Sequence, residues 1–138
     1  EIQVHSAVKL CKAVLPAMSK AKFGRVLFIQ TSYTIGCPPK NTAAYVMNKS
    51  AIGGLVKSLA VEYARFGITV NCVAPSMMET HFLKDTPDLI VQAAAADNPM
   101  GRNATPEDVA PAMAFLLGEE ARFITGVTLP VTGGSAIV

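Results

Sequence analysis

Tryptophan is absent, histidine occurs twice, cysteine three times, and charged side chains make up only 16% of the 138 residues. So little charge beside a 51% apolar fraction excludes disorder, which needs the opposite balance. A net charge of +2 without any basic run excludes the electrostatic footprint of a nucleic-acid binder. No apolar run approaches the roughly 18 residues of a membrane span, since Lys, Gly, Pro or Asn interrupts each one. No basic leader with an apolar core is visible, so no signal peptide is read. Cys11, Cys37 and Cys72 are too few and too scattered for a disulfide framework or a CxxC pair, and a cytoplasmic location is expected. Cys11 and Cys72 lie in apolar runs and are expected in the core, with Cys37 in a loop. His5 and His81 have no acidic or thiol neighbours at ligand spacing, so no metal is expected. The chain also lacks a glycine-rich phosphate loop behind an early strand.

What is present reads as alternating helix and strand in one domain. Ile2, Val4, Ala7, Val8, Leu10, Cys11, Val14, Leu15 and Met18 recur at near-helical period over residues 2–20, with Pro16 inside the pattern. Lys20, Lys22 and Gly24 mark its end, and the apolar run Val26-Leu27-Phe28-Ile29 predicts a buried strand, the central one of the sheet. Residues 31–42 read as loop, with Asn41 or Thr42 capping a long helix over 44–66 that ends at Gly67. Its apolar face is read as Ala44, Met47, Ala51, Leu55, Leu59, Ala60 and Tyr63. Gly53 and Gly54 in its middle each cost about 1 kcal/mol against Ala, so close approach of another helix is expected there.

Residues 68–74 predict a second strand stopped by Pro75, completing a βαβ unit with parallel pairing. Short helical pieces are expected at 82–84 and 88–97. Thr105-Pro106-Glu107-Asp108 opens a helix running to Leu117, with Asp108 at the capping-box position. Residues 126–131 predict a third strand, placed at an edge by Pro130.

Tyr45 and Lys49 are four residues apart at the start of the long helix, hence on one face. Ser32 stands 13 residues before Tyr45, just past a strand, where open α/β sheets place their ligand crevice. A phenol ordinarily titrates near 10, and a neighbouring ammonium favours its ionised form, which suits proton exchange with a carbonyl or alcohol. The Tyr-x-x-x-Lys spacing alone also fits an ordinary solvated pair, and a serine after a strand also fits a cap.

The wider sequence resembles the C-terminal half of a short-chain dehydrogenase/reductase. The resemblance is carried by Leu15-Pro16-Ala17-Met18, Gly24-Arg25-Val26, Thr31-Ser32, Tyr45-Val46-Met47-Asn48-Lys49, Gly67-Ile68-Thr69-Val70-Asn71, Ala74-Pro75 and Met77-Met78-Glu79-Thr80. It continues through Gly101-Arg102, Pro106-Glu107-Asp108-Val109-Ala110 and Ile124-Thr125-Gly126 to Gly133-Gly134, and so covers essentially all 138 residues. It is similar to 3-oxoacyl-carrier-protein reductase-like members.

The resemblance implies an α/β fold, a Rossmann-like doubly wound parallel sheet of which residues 1–138 form the C-terminal half only. It implies an oxidoreductase interconverting a carbonyl and a secondary alcohol with NAD or NADP. Tyr45 would be the acid/base, Lys49 would lower its pKa and hold the nicotinamide ribose, and Ser32 would orient the substrate oxygen. Gln3 matches, within one residue, a family Asn of the proton relay. Pro75, Ser76, the backbone near Met78, and Thr80 match the segment that brackets the nicotinamide, with Ser76 in place of the usual Gly.

The expected partners are a small carbonyl or alcohol compound, acyl-bearing or apolar, and copies of the same chain in a homodimer or homotetramer. Residues 82–100 would close over the substrate. Gln3, Ser76 and the missing phosphate loop keep a second reading open, a non-catalytic or truncated member acting as an assembly partner.

Overall fold

The computed structural model describes residues 2–137, with Phe82 through its backbone alone. Three parallel strands, β1 (Gly24–Ile29), β2 (Ile68–Pro75) and β3 (Thr128–Val131), pair in the order β1-β2-β3. Gly24 stands opposite Ile68 and Ile29 opposite Val73, while Cys72 opposes Thr128 and Pro75 opposes Val131. The centre of the sheet is therefore β2, whose residues are all buried, and not the 26–29 strand expected there. Pro130 does lie on an edge strand, where its missing N–H leaves no gap inside the sheet.

Helices α1 (Ile2–Ala21) and α2 (Ala43–Tyr63) cover one face of the sheet, α4 (Pro106–Leu117) the other, and α3 (Asp88–Asp97) lies between β2 and α4 in sequence. Ala7, Cys11 and Leu15 of α1 meet Ile52, Val56 and Ala60 of α2 over Ile68, Val70 and Cys72. The alternate side of β2 sends Val73 to Val109 and Leu116 of α4. The two crossovers step the same way across the sheet but pass over opposite faces, so they have opposite hands. One of them therefore departs from the right-handed rule for parallel connections.

The expectation of a C-terminal half alone of a doubly wound sheet is corrected here. A Rossmann-like arrangement of parallel strands and helices extends over nearly the whole 138-residue chain. It does so because each face of the sheet has its own helix layer and its own apolar cluster.

Local chemistry sets the element ends. Gly67 adopts φ 71°, and a Cβ there would stand 2.6 Å from the carbonyl oxygen of Lys22, so only glycine turns the chain into β2. Thr105 and Asp108 form the capping box of α4, the Thr105 amide donating to the carboxylate at 2.8 Å. Asn71 in β2 donates to the Ile124 carbonyl at 2.8 Å and accepts from the Val127 amide at 3.2 Å, which fixes the entry to β3.

One apolar stripe falls differently from the periodicity. The buried stripe of α2 is Ile52, Val56 and Ala60, whereas Met47 is 66% exposed. Gly53 leaves room for the side chain of Gln30 and not for a neighbouring helix, while Gly54 faces open space.

Candidate active site

β1 and β2 run parallel, so their carboxyl ends emerge side by side beneath the first turns of α2. A cleft of about 490 Å³ opens there, lined by Tyr45 and Lys49 from α2, Thr31 and Tyr33 after β1, Pro75 at the end of β2 and residues 76–78 after it. Gln3 of α1 and Thr80 complete its rim. Two hydrogen bonds tie the base of α2 to the end of β1. The Lys49 ammonium donates to the Ile29 carbonyl at 2.9 Å, and the Gln30 amide donates to the Lys49 carbonyl, also at 2.9 Å. Gln30 in turn accepts from the Thr128 hydroxyl at 2.9 Å, so one buried side chain links α2, β1 and β3. The strand ladder continues one residue past β1, since the Gln30 amide donates to the Val73 carbonyl at 2.8 Å.

Lys49 is the only charged side chain lining this cleft among the described residues. Burial holds its ammonium below the ordinary lysine range, slightly offset by the Cys72 sulfur. Its Nζ stands 5.9 Å from the centre of the Tyr45 ring. An ammonium has three N–H groups, and only one is engaged by Ile29, so two remain for oxygens in the cleft. Tyr33 packs edge-on against Tyr45 with ring centres 6.4 Å apart. Burial pushes its phenol pKa up, with the Tyr45 neighbour adding to the rise. Beneath them the wholly buried Cys72 thiol is pushed up to about 11 by desolvation.

The structure gathers Gln3, Tyr45, Lys49, Pro75, Ser76, Met78 and Thr80 around one cleft. Ser32 is buried and lines a neighbouring cavity, which shares Tyr33, Ser76 and Met77 with the first. Thr31, which sequence reasoning passed over, lines the Tyr45 cleft as well, and its Oγ1 accepts from the Tyr33 amide at 3.4 Å at the start of the short 3-10 turn that carries Ser32. Gln30 and Tyr33 were also missed, because neither belongs to a spacing motif.

The other members are placed by short-range bonds. The Glu79 amide donates to Ala104 and the Ala104 amide to Met77, at 2.8 and 3.0 Å, which pins the Met78 segment against the approach to α4. Thr80 precedes a short 3-10 turn but makes no side-chain capping bond, so its hydroxyl stays available to the cleft. The Ser76 hydroxyl is buried without a hydrogen-bond partner among the described residues.

A family model described as enoyl-(acyl carrier protein) reductase matches residues 1–136. The chain is 40% identical over 139 residues to 3-oxoacyl-(acyl-carrier-protein) reductase FabG of Escherichia coli (strain K12), covering 100% of this chain and 56% of that protein. Among solved structures it resembles acetoin dehydrogenase YohF from Salmonella typhimurium at TM-score 0.83 and 29% identity, over 97% of this chain and 52% of the other. A gluconate 5-dehydrogenase from Burkholderia cenocepacia J2315, solved with NADP and tartrate, matches at TM-score 0.84 and 27% identity, over 92% and 51%. The chain spans about half the length of the curated relatives it matches.

Proposed function

The chain belongs to the short-chain dehydrogenase/reductase family, and from that premise we propose that its cleft serves the interconversion of a carbonyl and a secondary alcohol with NAD or NADP. The observation that carries the proposal is the convergence of Tyr45 and Lys49 on one cleft in which the lysine is the only charge among the described residues. The lining suits the nicotinamide end of such a dinucleotide. Lys49 and Tyr45 would engage ribose hydroxyls, Pro75 and Met78 offer an apolar wall for the ring, and Thr80 brings a free hydroxyl. The cofactor, when bound, supplies or accepts the hydride.

The remaining work falls to this chain. In reduction the Tyr45 hydroxyl donates its proton to the carbonyl oxygen as negative charge develops there, and in oxidation the phenolate takes the proton back. Lys49 stabilises the phenolate by its positive charge, strengthened by partial removal from water. A hydroxyl beside Tyr45 holds the substrate oxygen in line. We assign that role to Ser32, thirteen residues before Tyr45 and buried in the cavity that adjoins the Tyr45 cleft. Gln3, at the rim, is assigned to ordering solvent at the outer end of the proton path.

The outward faces of α1 and α2 carry Ile2 at 85% and Val61 at 84% exposure, which supports association of like chains as a homodimer or homotetramer. The test of function uses the full-length protein with a reduced nicotinamide cofactor and a simple ketone, followed by cofactor absorbance. Tyr45→Phe is expected to lower kcat by a factor of about 10² to 10⁴. Turnover unchanged by that substitution would overturn the proposal.

A further inference from the structure

At Tyr33, Ser76 and Met77 the active-site cleft meets a second cavity of about 360 Å³, formed with residues of α3 and of the segment after β3. We propose that this cavity receives the part of the substrate beyond the reacting carbon, and that Asp97 within it favours hydroxylated or cationic substrates over carboxylates. The proposal rests on the carbonyl/alcohol reading and adds a charge preference to it.

The observations converge on Asp97. Ile90, Ala94 and Met77 give the cavity apolar walls, and Asp97 is the only ionisable acid or base other than Tyr33 and Cys37 that lines it among the described residues. The neighbouring amides are occupied: Asn98 donates to the Thr132 carbonyl at 2.9 Å and Asn103 to the Val91 carbonyl at 3.0 Å. These bonds hold the frame of the cavity and leave Asp97 unengaged.

Asp97 is also the last residue of α3, where the helix dipole disfavours a carboxylate. No ion pair among the described residues compensates it, the two present being Arg25–Glu119 and Arg102–Asp108. Neither helix stability nor surface pairing accounts for an acid at this place, whereas the cavity gives it something to act on. The joined clefts are then polarised, with the Lys49 cation at the reacting end and the Asp97 anion at the far end. A substrate tail ending in a carboxylate meets like charge, while an ammonium or a hydroxyl donor meets an acceptor. Asp97 is exposed, so solvent screens the effect to a several-fold preference.

The test compares three methyl ketones of equal length ending in a carboxylate, a hydroxyl or a quaternary ammonium, using the full-length enzyme with its reduced cofactor. Wild type is expected to show kcat/KM several-fold higher for the hydroxyl and ammonium ketones than for the carboxylate. Asp97→Asn should level the series, Asp97→Lys should reverse it, and 0.5 M salt should compress the wild-type spread. The ketones' binding is measured in parallel by ligand-observed NMR, which needs no turnover. Failure to reduce any of the three counts against the carbonyl/alcohol reading. A charge preference, in rate or in NMR binding, that Asp97→Lys leaves unchanged overturns the role of Asp97.

Discussion

Gly53→Ala offers a test of how α2 is seated on the sheet. A Cβ built at Gly53 stands 2.7 Å from Nε2 of Gln30 and 3.4 Å from its Cδ, so the buried amide must move. Moving it breaks the bond to the Lys49 carbonyl and disturbs the one from Thr128. Each bond is worth about 1 kcal/mol net, and a buried polar group left without a partner costs a further ~1–3 kcal/mol. Alanine recovers ~1 kcal/mol of helix propensity. The substitution should therefore destabilise by roughly 1–3 kcal/mol in all.

The decisive measurement is a double-mutant cycle with Gln30→Ala, read by urea unfolding of the full-length protein under circular dichroism. Once the amide is gone, Gly53→Ala meets no obstruction and should stabilise by about 1 kcal/mol, giving a coupling of roughly 2–4 kcal/mol. Effects that add to within about 0.5 kcal/mol would refute the claim that Gln30 dictates this glycine.

Ser32→Ala should lower kcat by about 10-fold or more while Thr31→Val leaves most activity, and the opposite ranking would move the substrate-orienting role to Thr31. Cys72 is raised in the folded chain to about 11, so the unfolded chain loses that proton first and stability should fall with rising pH between about 9 and 11. The contribution amounts to at most ~1.4 kcal/mol per pH unit. Thermal unfolding of wild type should steepen over that window relative to Cys72→Ala, and parallel curves would count against it. Gly54, with nothing within 4 Å of a built Cβ, should tolerate Trp within a single chain, so Gly54→Trp should lower the mass of the assembly in light scattering without unfolding it. An assembly of unchanged mass would remove α2 from the contact between copies.

The order of elements was legible because each carries a different signature. Four consecutive apolar residues after Gly24, a proline at the first turn of α4, and the glycine at 67 each predict what is found. Cys11 and Cys72 are buried and Cys37 exposed, as their surroundings imply. The buried face of α2 was harder to read because that helix is apolar on more than one side. Periodicity selected Met47 and Ala51, which face outward, over Ile52 and Val56, which face the sheet. In the site, Tyr45 and Lys49 were legible because a helix fixes which residues share a face. Thr31 was not, because it stands at the start of a polar loop and carries no spacing signal of its own. Gln30 was invisible for a related reason: its partners lie in three separate stretches of chain. The sheet, too, extends over more of the chain's architecture than the expected half fold, since α4 gives its second face a cover of its own.

Lys49 is fastened twice to the end of β1, through its ammonium to Ile29 and through its carbonyl to Gln30. Across the adjoining cavity α3 has no buried residue and is tied by the bond from the Asn103 amide to the Val91 carbonyl at 3.0 Å. The Tyr45 side is thus a fixed reference against which proton exchange is aligned, and the α3 side is free to be recut. Redesign toward a new substrate should accordingly begin in residues 88–97, where sequence can be exchanged without shifting the phenol or its lysine.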